Sequence, residues 1–216
     1  MNKKNALIIV DAQRDFGLED GALYVPKGEE VVPEINRLRA ALGDVDVFLT
    51  QDWHPEDHMS FVTQHPEMAV FQDKTMEDGS VQRMWPPHCV QGSRGAMFLE
   101  GLVRVDTDVV VQKGRVRTVD SYSGFASNDG HSEVTGLEAM LLKRGITHVT
   151  ICGLAYEYCV GFTGLDATKC GFEVCVVRSC TRGLSEADCA TMTAKLVDTG
   201  KAVVVDAVEE AVAWAA

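Results

Sequence analysis

Basic residues are scarce in this chain. Twenty lysines and arginines stand against 32 aspartates and glutamates, a formal net charge of −12, and no polybasic run gathers the few cations together. Nucleic-acid phosphates and anionic membrane surfaces both need clustered Lys and Arg, so no nucleic acid and no membrane are expected as partners. Long apolar runs are missing as well. Nothing approaches the roughly 20 residues that span a bilayer, and the run Ala6 to Val10 stops at Asp11, too short for the core of a secretory signal. Internal repeats, low-complexity tracts and linker-like segments are absent, so residues 1–216 are expected to form a single domain. Cysteine is present seven times, an odd count, scattered through predicted strands and helices. That excludes a disulfide framework, fits reduced thiols, and makes the cytoplasm the expected compartment. With 46% hydrophobic and 24% charged residues, the composition is that of a soluble globular protein.

What is there is an alternation. "ALIIVD", "VDVFLTQD", "DVVVQKG", "HVTICGLA", "FEVCVVRS" and "AVVVDA" read as strands. Between them, "VVPEINRLRAALG", "EVTGLEAMLLKRG", a segment from about Cys159 and "SEADCATMTAKLVDTG" read as helices, and a short helix ends the chain. Continuous Val/Ile/Leu runs mark strands covered on both faces. Strand and helix in turn predict an α/β fold, a doubly wound three-layer α/β/α arrangement around a mainly parallel sheet of about six strands. Residues 51–105 break the rhythm: rich in His, Pro, Met, Asp and Gln, they predict a long functional loop.

In such a fold ligands gather beyond the carboxyl ends of the strands. Asp11 ends the first strand, Asp52 and His54 follow the second, Lys113 ends the third, and Cys159 follows the fourth by one short turn. Each residue alone has an ordinary explanation as a turn acid, a solvated lysine or a small core thiol. Together they supply what acyl transfer requires. A thiol becomes a nucleophile when a base takes its proton and a helix start favours the anion. An ammonium can orient that base, and backbone N–H groups of the turn Ala155 to Cys159 can receive an oxyanion. Asp52 and His54, two apart on an extended segment, face the same way. With His88, fixed behind Pro86 and Pro87, they form a donor set suited to a divalent metal, Zn2+ first and Fe2+ or Mn2+ less selectively. His58 is a further candidate ligand. Cys152 and Cys175 read as core, and His65, His131 and His148 as surface.

The segments "ALIIVDAQRDF", "TQDWHPEDHMSF", "WPPHCVQGS", "KG…DSYSGF" and "GLAYEYCVGFTGLDA" resemble, in order, the motif series of nicotinamidases (pyrazinamidases) within the isochorismatase-like cysteine hydrolases. "D-W-H" with "WPPHC" is the specific part. The resemblance implies hydrolysis of nicotinamide to nicotinate and ammonia through a thioester, in NAD salvage. It implies a catalytic triad of Asp11, Lys113 and Cys159, metal ligands Asp52, His54 and His88, and a ring pocket that includes Phe16, Trp85 and Tyr122. It also implies a cis peptide at Leu154–Ala155, with the Ala155 N–H toward the oxyanion. Tyr156, Glu157 and Gly161 depart from the commoner pattern, which predicts altered substrate contacts beside the thiol. The same fold also serves carbamoyl or ureido amidohydrolases and isochorismatase-type vinyl-ether hydrolases, and a redox module is the non-enzymatic alternative. A homo-oligomer is compatible with the sequence.

Overall fold

The computed structural model describes residues 3–77 and 79–216. Met1, Asn2 and Asp78, which the expected domain includes, lie outside the described residues. Strand β1 (Asn5–Val10) leads through a single turn, α1 (Arg14–Gly17), to helix α2 (Val31–Leu42) and strand β2 (Asp46–Asp52). A small hairpin, β3 (Asp73–Thr75) with β4 (Val81–Arg83), precedes β5 (Val109–Lys113) and α3 (Leu137–Lys143). Then come β6 (His148–Leu154), α4 (Gly161–Lys169), β7 (Glu173–Arg182), α5 (Glu186–Asp198), β8 (Ala202–Val205) and α6 (Val208–Ala215). The main sheet has six strands in the order β5-β2-β1-β6-β7-β8, every pair parallel.

Every residue of β1 is buried, as a strand covered on both faces must be. Successive side chains leave a strand on opposite sides. Leu7 and Ile9 therefore join Ile35 and Leu38 of α2 and Val208 and Ala211 of α6 in one apolar layer. Ala6, Ile8 and Val10 join Leu141 of α3, Ala167 of α4, and Met192 and Leu196 of α5 in the other. The predicted three-layer doubly wound fold is the one observed.

Strand order runs outward from β1 in one direction and from β6 in the other, so the sheet reverses between these two. Its carboxyl edge there is the crevice where such folds bind ligands. The residues just beyond that edge are Asp11 and the turn that carries Cys159. The two strands approach closely: Val10 pairs with Gly153, whose φ is 116°, and a Cβ at Gly153 would lie 1.9 Å from the Val10 carbonyl oxygen.

Three details differ from the sequence-based expectation. The helix expected from Glu133 starts only at Leu137, because Gly136 sits at φ 86° and the buried Glu133 carboxylate is drawn to Arg115 at 2.6 Å. Residues 51–105 contain the hairpin, which no apolar alternation announces. The segment around Cys159 is first a wide π-type turn, Tyr156–Val160, and becomes regular helix only at Gly161. Among the described residues no helix is long and apolar enough to cross a membrane.

Candidate active site

Asp11 follows β1 with φ 43°, a left-handed conformation rare outside glycine and frequent at functional sites. Its backbone N–H and Oδ1 are both held by Thr50 of β2, the hydroxyl donating to Oδ1 at 2.6 Å. Oδ2 is buried without a hydrogen-bond partner, although the Lys113 ammonium lies 3.0 Å away. The reason is donor arithmetic. An ammonium has three N–H groups, and those of Lys113 reach Asp52 Oδ1 at 2.5 Å, the Ser121 carbonyl at 2.8 Å and Cys159 Sγ at 3.5 Å. Asp11 Oδ2 therefore shares the Lys113 ammonium with three competing acceptors. A carboxylate oxygen of Asp11, one of Asp52 and the Cys159 sulfur all lie within 4.8 Å of one another.

Burial raises the Asp11 pKa, with Lys113 opposing and Asp52 reinforcing the rise. Burial works against the charged form of Lys113 too, but Asp11 and Asp52 outweigh it and push the ammonium well up. The Cys159 thiol is pushed well up, first by burial, with Lys113 opposing and Asp11 and Asp52 adding. The sequence suggested a helix start that favours the anion; in the structure burial prevails. The resting sulfur is a thiol, so a base must take its proton as it attacks.

Asp52 closes β2, and His54 and His88 complete a second cluster. His54 Nδ1 pairs with the Gly114 carbonyl at 2.9 Å, and His88 Nδ1 with the Pro86 carbonyl at 2.8 Å. Both carbonyls only accept, so each Nδ1 carries a proton and each Nε2 is the nitrogen turned toward Asp52. Those two nitrogens lie 3.3 Å and 3.8 Å from Asp52 Oδ2. Burial, aided by His54, lowers the His88 pKa to about 4, which leaves the ring neutral near pH 7. Burial opposes charge on His54, but the Asp52 carboxylate outweighs it and raises that pKa. Asp52 stays far below the usual carboxylate range because Lys113 and His54 overcome its burial. One carboxylate and two imidazoles, all buried and convergent, form a donor set that fits a divalent cation.

His58 stands outside that set. Its ring lies against His54 at 4.3 Å, and its nitrogens are engaged by the Ser60 hydroxyl and the Val119 carbonyl. His54, His58 and Asp120 also bring three donor atoms within 4.8 Å of one another. Asp120, however, accepts from Gln82 and from the Ser121 N–H.

Both clusters reach one pocket, lined by Phe16, Trp85, Tyr122, Tyr158 and Ala155 together with Asp52, His54, His88 and Cys159. Trp85 stands edge-on to Tyr158 at 5.0 Å, and its indole N–H donates to the Tyr122 hydroxyl at 3.3 Å. The Leu154–Ala155 peptide is cis.

The isochorismatase-domain profile matches residues 5–209. This chain belongs to the isochorismatase family. It is 40% identical over 183 residues to the nicotinamidase of Escherichia coli (strain K12), covering 83% of this chain and 84% of that protein. PnC1 from L. infantum, solved in complex with nicotinate, superposes with a TM-score of 0.78 at 37% identity, over 96% of this chain and 94% of that one. The pyrazinamidase of Pyrococcus horikoshii, solved in complex with zinc, gives a TM-score of 0.77 at 34% identity, over 94% and 99% respectively.

In this member of the isochorismatase family several site residues went unnoticed in the sequence. Tyr158 walls the pocket, and its hydroxyl receives Arg83 at 2.9 Å. Arg83 is itself anchored to Asp73 across the hairpin. Gln13 fixes Asp52 from both sides, accepting its N–H at 2.8 Å and donating to its carbonyl at 2.9 Å. The quoted "VDAQRDF" held that signal, since a glutamine two residues beyond an acid at a strand end is well placed to bridge neighbouring strand ends. Leu23, Val25 and Leu184 complete the apolar wall.

Glu157 is absent from the pocket walls. Its carboxylate turns away from the pocket and accepts the Leu184 and Ser185 N–H groups at 2.7 and 2.8 Å. Tyr156 likewise is wholly buried, its hydroxyl paired with Thr193. His65 is half-buried and bonds the Met59 carbonyl and Lys74.

Proposed function

We propose that this chain is a metal-dependent cysteine amidohydrolase that converts nicotinamide to nicotinate and ammonia, with residues 1–216 as one hydrolase domain and 51–105 as its metal- and substrate-binding loop. The observation that carries the reading is the meeting of a buried carboxylate, a buried lysine and a thiol that itself lines an aromatic pocket. The nicotinamidase relatives and the nicotinate bound in the L. infantum protein supply the substrate class.

Phe16, Trp85 and Tyr122, with Tyr158, hold the pyridine ring and keep water from it. Asp11 Oδ2 takes the Cys159 proton as Sγ attacks the carboxamide carbon. The N–H groups of Ala155 and Cys159 receive the developing oxyanion. Asp11 then returns its proton to the leaving nitrogen, and ammonia departs from the thioester. A water, deprotonated by the same carboxylate, hydrolyses that thioester and frees nicotinate and the thiol. Lys113 keeps Asp11 ionised between these transfers. Asp52, His54 and His88 would hold the divalent ion, which when bound supplies a Lewis-acidic anchor for the ring nitrogen. Zinc is the ion proposed, since two imidazoles with a carboxylate suit it and the Pyrococcus horikoshii relative was solved with it; Fe2+ and Mn2+ accept the same donors. The seven free thiols accord with a cytoplasmic site of action, and nicotinate as product accords with NAD salvage.

Ammonia release from nicotinamide by the purified protein, with and without a chelator, tests this reading. Release is expected for the parent and lost in Cys159→Ala and Asp11→Asn variants that retain the fold. Release by Cys159→Ala at the parental rate would overturn the covalent route.

A further inference from the structure

We infer that Thr50 is a positioning residue for the reaction proposed above: its hydroxyl fixes Oδ1 of Asp11 and thereby presents Oδ2 to the Cys159 thiol. The inference rests on that reading for its substrate, but not for its geometry. A carboxylate offers two equivalent oxygens, and rotation about its last bond exchanges them. Something must break that symmetry if one oxygen is to stay free for the thiol proton.

Thr50 is the group that does so. It is wholly buried in β2, and its Oγ1 donates to Asp11 Oδ1 at 2.6 Å while accepting the Asp11 N–H at 3.2 Å. Its own carbonyl also faces that N–H, at 3.3 Å. One residue thus grips Asp11 at both backbone and side chain, where the backbone has turned to φ 43° and no longer follows the strand. On the far side the Lys113 ammonium lies 3.0 Å from Oδ2 and 3.5 Å from Cys159 Sγ, so Oδ2 faces the ammonium and the thiol together. Remove the hydroxyl and the carboxylate is free to rotate. Neither oxygen is then fixed toward the thiol, and the acceptor that its proton requires is presented only part of the time.

The methyl group of Thr50 has a separate task. A Cβ built on Gly124 would lie 2.8 Å from Thr50 Cγ2, so the methyl fills a close contact on that side. Hydroxyl and methyl can therefore be tested apart. Thr50→Val keeps the shape and loses the hydroxyl; Thr50→Ser keeps the hydroxyl and loses the methyl.

Two readouts separate positioning from mere packing. The first is turnover of nicotinamide. The second, independent of substrate, is the rate of Cys159 carbamidomethylation by iodoacetamide, followed by mass spectrometry of the peptide that contains it. Thr50→Val is expected to lower kcat about 10- to 100-fold, the range of one hydrogen bond to a charged group, with KM nearly unchanged and Cys159 alkylation slowed comparably. Thr50→Ser is expected to recover most of both rates. Should Thr50→Val fail to fold, Thr50→Ala, which introduces no new atom, carries the same comparison. Parental rates of turnover and alkylation without the hydroxyl would overturn the inference. So would a Thr50→Ser variant as slow as Thr50→Val, or slowed turnover with unchanged alkylation. If the parent releases no ammonia from nicotinamide, the proposed function fails while the alkylation comparison still decides the role of Thr50.

Discussion

A lysine with no exposed surface is costly unless its charge is matched, and Lys113 is matched twice, by Asp11 and by Asp52. The converse is as important. Without the ammonium two carboxylates would remain buried within 4.8 Å of each other with no cation from the chain between them. Lys113→Met, which keeps the length of the side chain, is expected to cost about 3–5 kcal/mol in stability and to abolish turnover, as read by urea denaturation and ammonia release. A parental urea midpoint would show that the ammonium is not what holds the two acids together. Gly153 makes a comparable demand of shape. Its φ of 116° and the 1.9 Å approach of a built Cβ to the Val10 carbonyl involve backbone on both sides, so no rotamer change relieves the clash. Gly153→Ala is expected to separate β1 from β6 where they carry Asp11 and the Cys159 turn. A thermal melt should show the protein destabilised by well over ~1 kcal/mol, beyond an ordinary surface substitution.

Between elements, the site is held by side chains that never enter it. Glu157 lies in the turn that carries Cys159, yet it binds the two N–H groups that open the loop between β7 and α5. Leu184 of that loop walls the substrate pocket. Glu157→Ala should therefore cost about 1.5–3 kcal/mol, the price of a charged hydrogen bond, and raise KM for nicotinamide more than it lowers kcat. Glu157→Gln keeps an acceptor oxygen and should recover much of both in denaturation and steady-state assays. Equal losses in the two variants would point to charge rather than to the loop contact. Relationships of this kind explain what the sequence left hidden. The four inner strands of the main sheet were legible because burial on both faces forces unbroken apolar runs. The edge strands β5 and β8 were legible by their valines although partly exposed, and strand ends then located Asp11, Asp52, Lys113 and Cys159. The hairpin was not, since "DKT" and "VQR" are short and polar and are tied by Asp73 and Arg83 rather than by a core. Thr50 and Gln13 act across strands on partners 39 residues away, a pairing that no local pattern encodes. Tyr158 and Glu157 adjoin the cysteine in sequence, but a π-type turn, unlike a regular helix, sends one to the pocket and the other behind it.

Over the whole molecule, a bound ion would couple the site to global stability. Asp52, His54 and His88 come from the end of β2 and from the long segment beyond it, and all three are buried. A cation that binds this folded cluster and not the unfolded chain must stabilise the fold by mass action. Free ion at a hundred times its dissociation constant adds about 2.7 kcal/mol, which at about 2–4 °C per kcal/mol for a chain of this size raises the melting midpoint by roughly 5–11 °C. Dialysis against a chelator is therefore expected to lower the melting midpoint and to remove ammonia release together, and Zn2+ to restore both. His88→Ala separates the two effects. It deletes one ligand from the loop while leaving Asp11, Lys113 and Cys159 in contact, so the melting response to Zn2+ should weaken while Cys159 remains open to alkylation. A His88→Ala protein whose midpoint rises with Zn2+ as the parent's does would place the ion elsewhere. A chelated parent that still releases ammonia at full rate would leave the aromatic walls and the oxyanion donors as the whole of substrate binding.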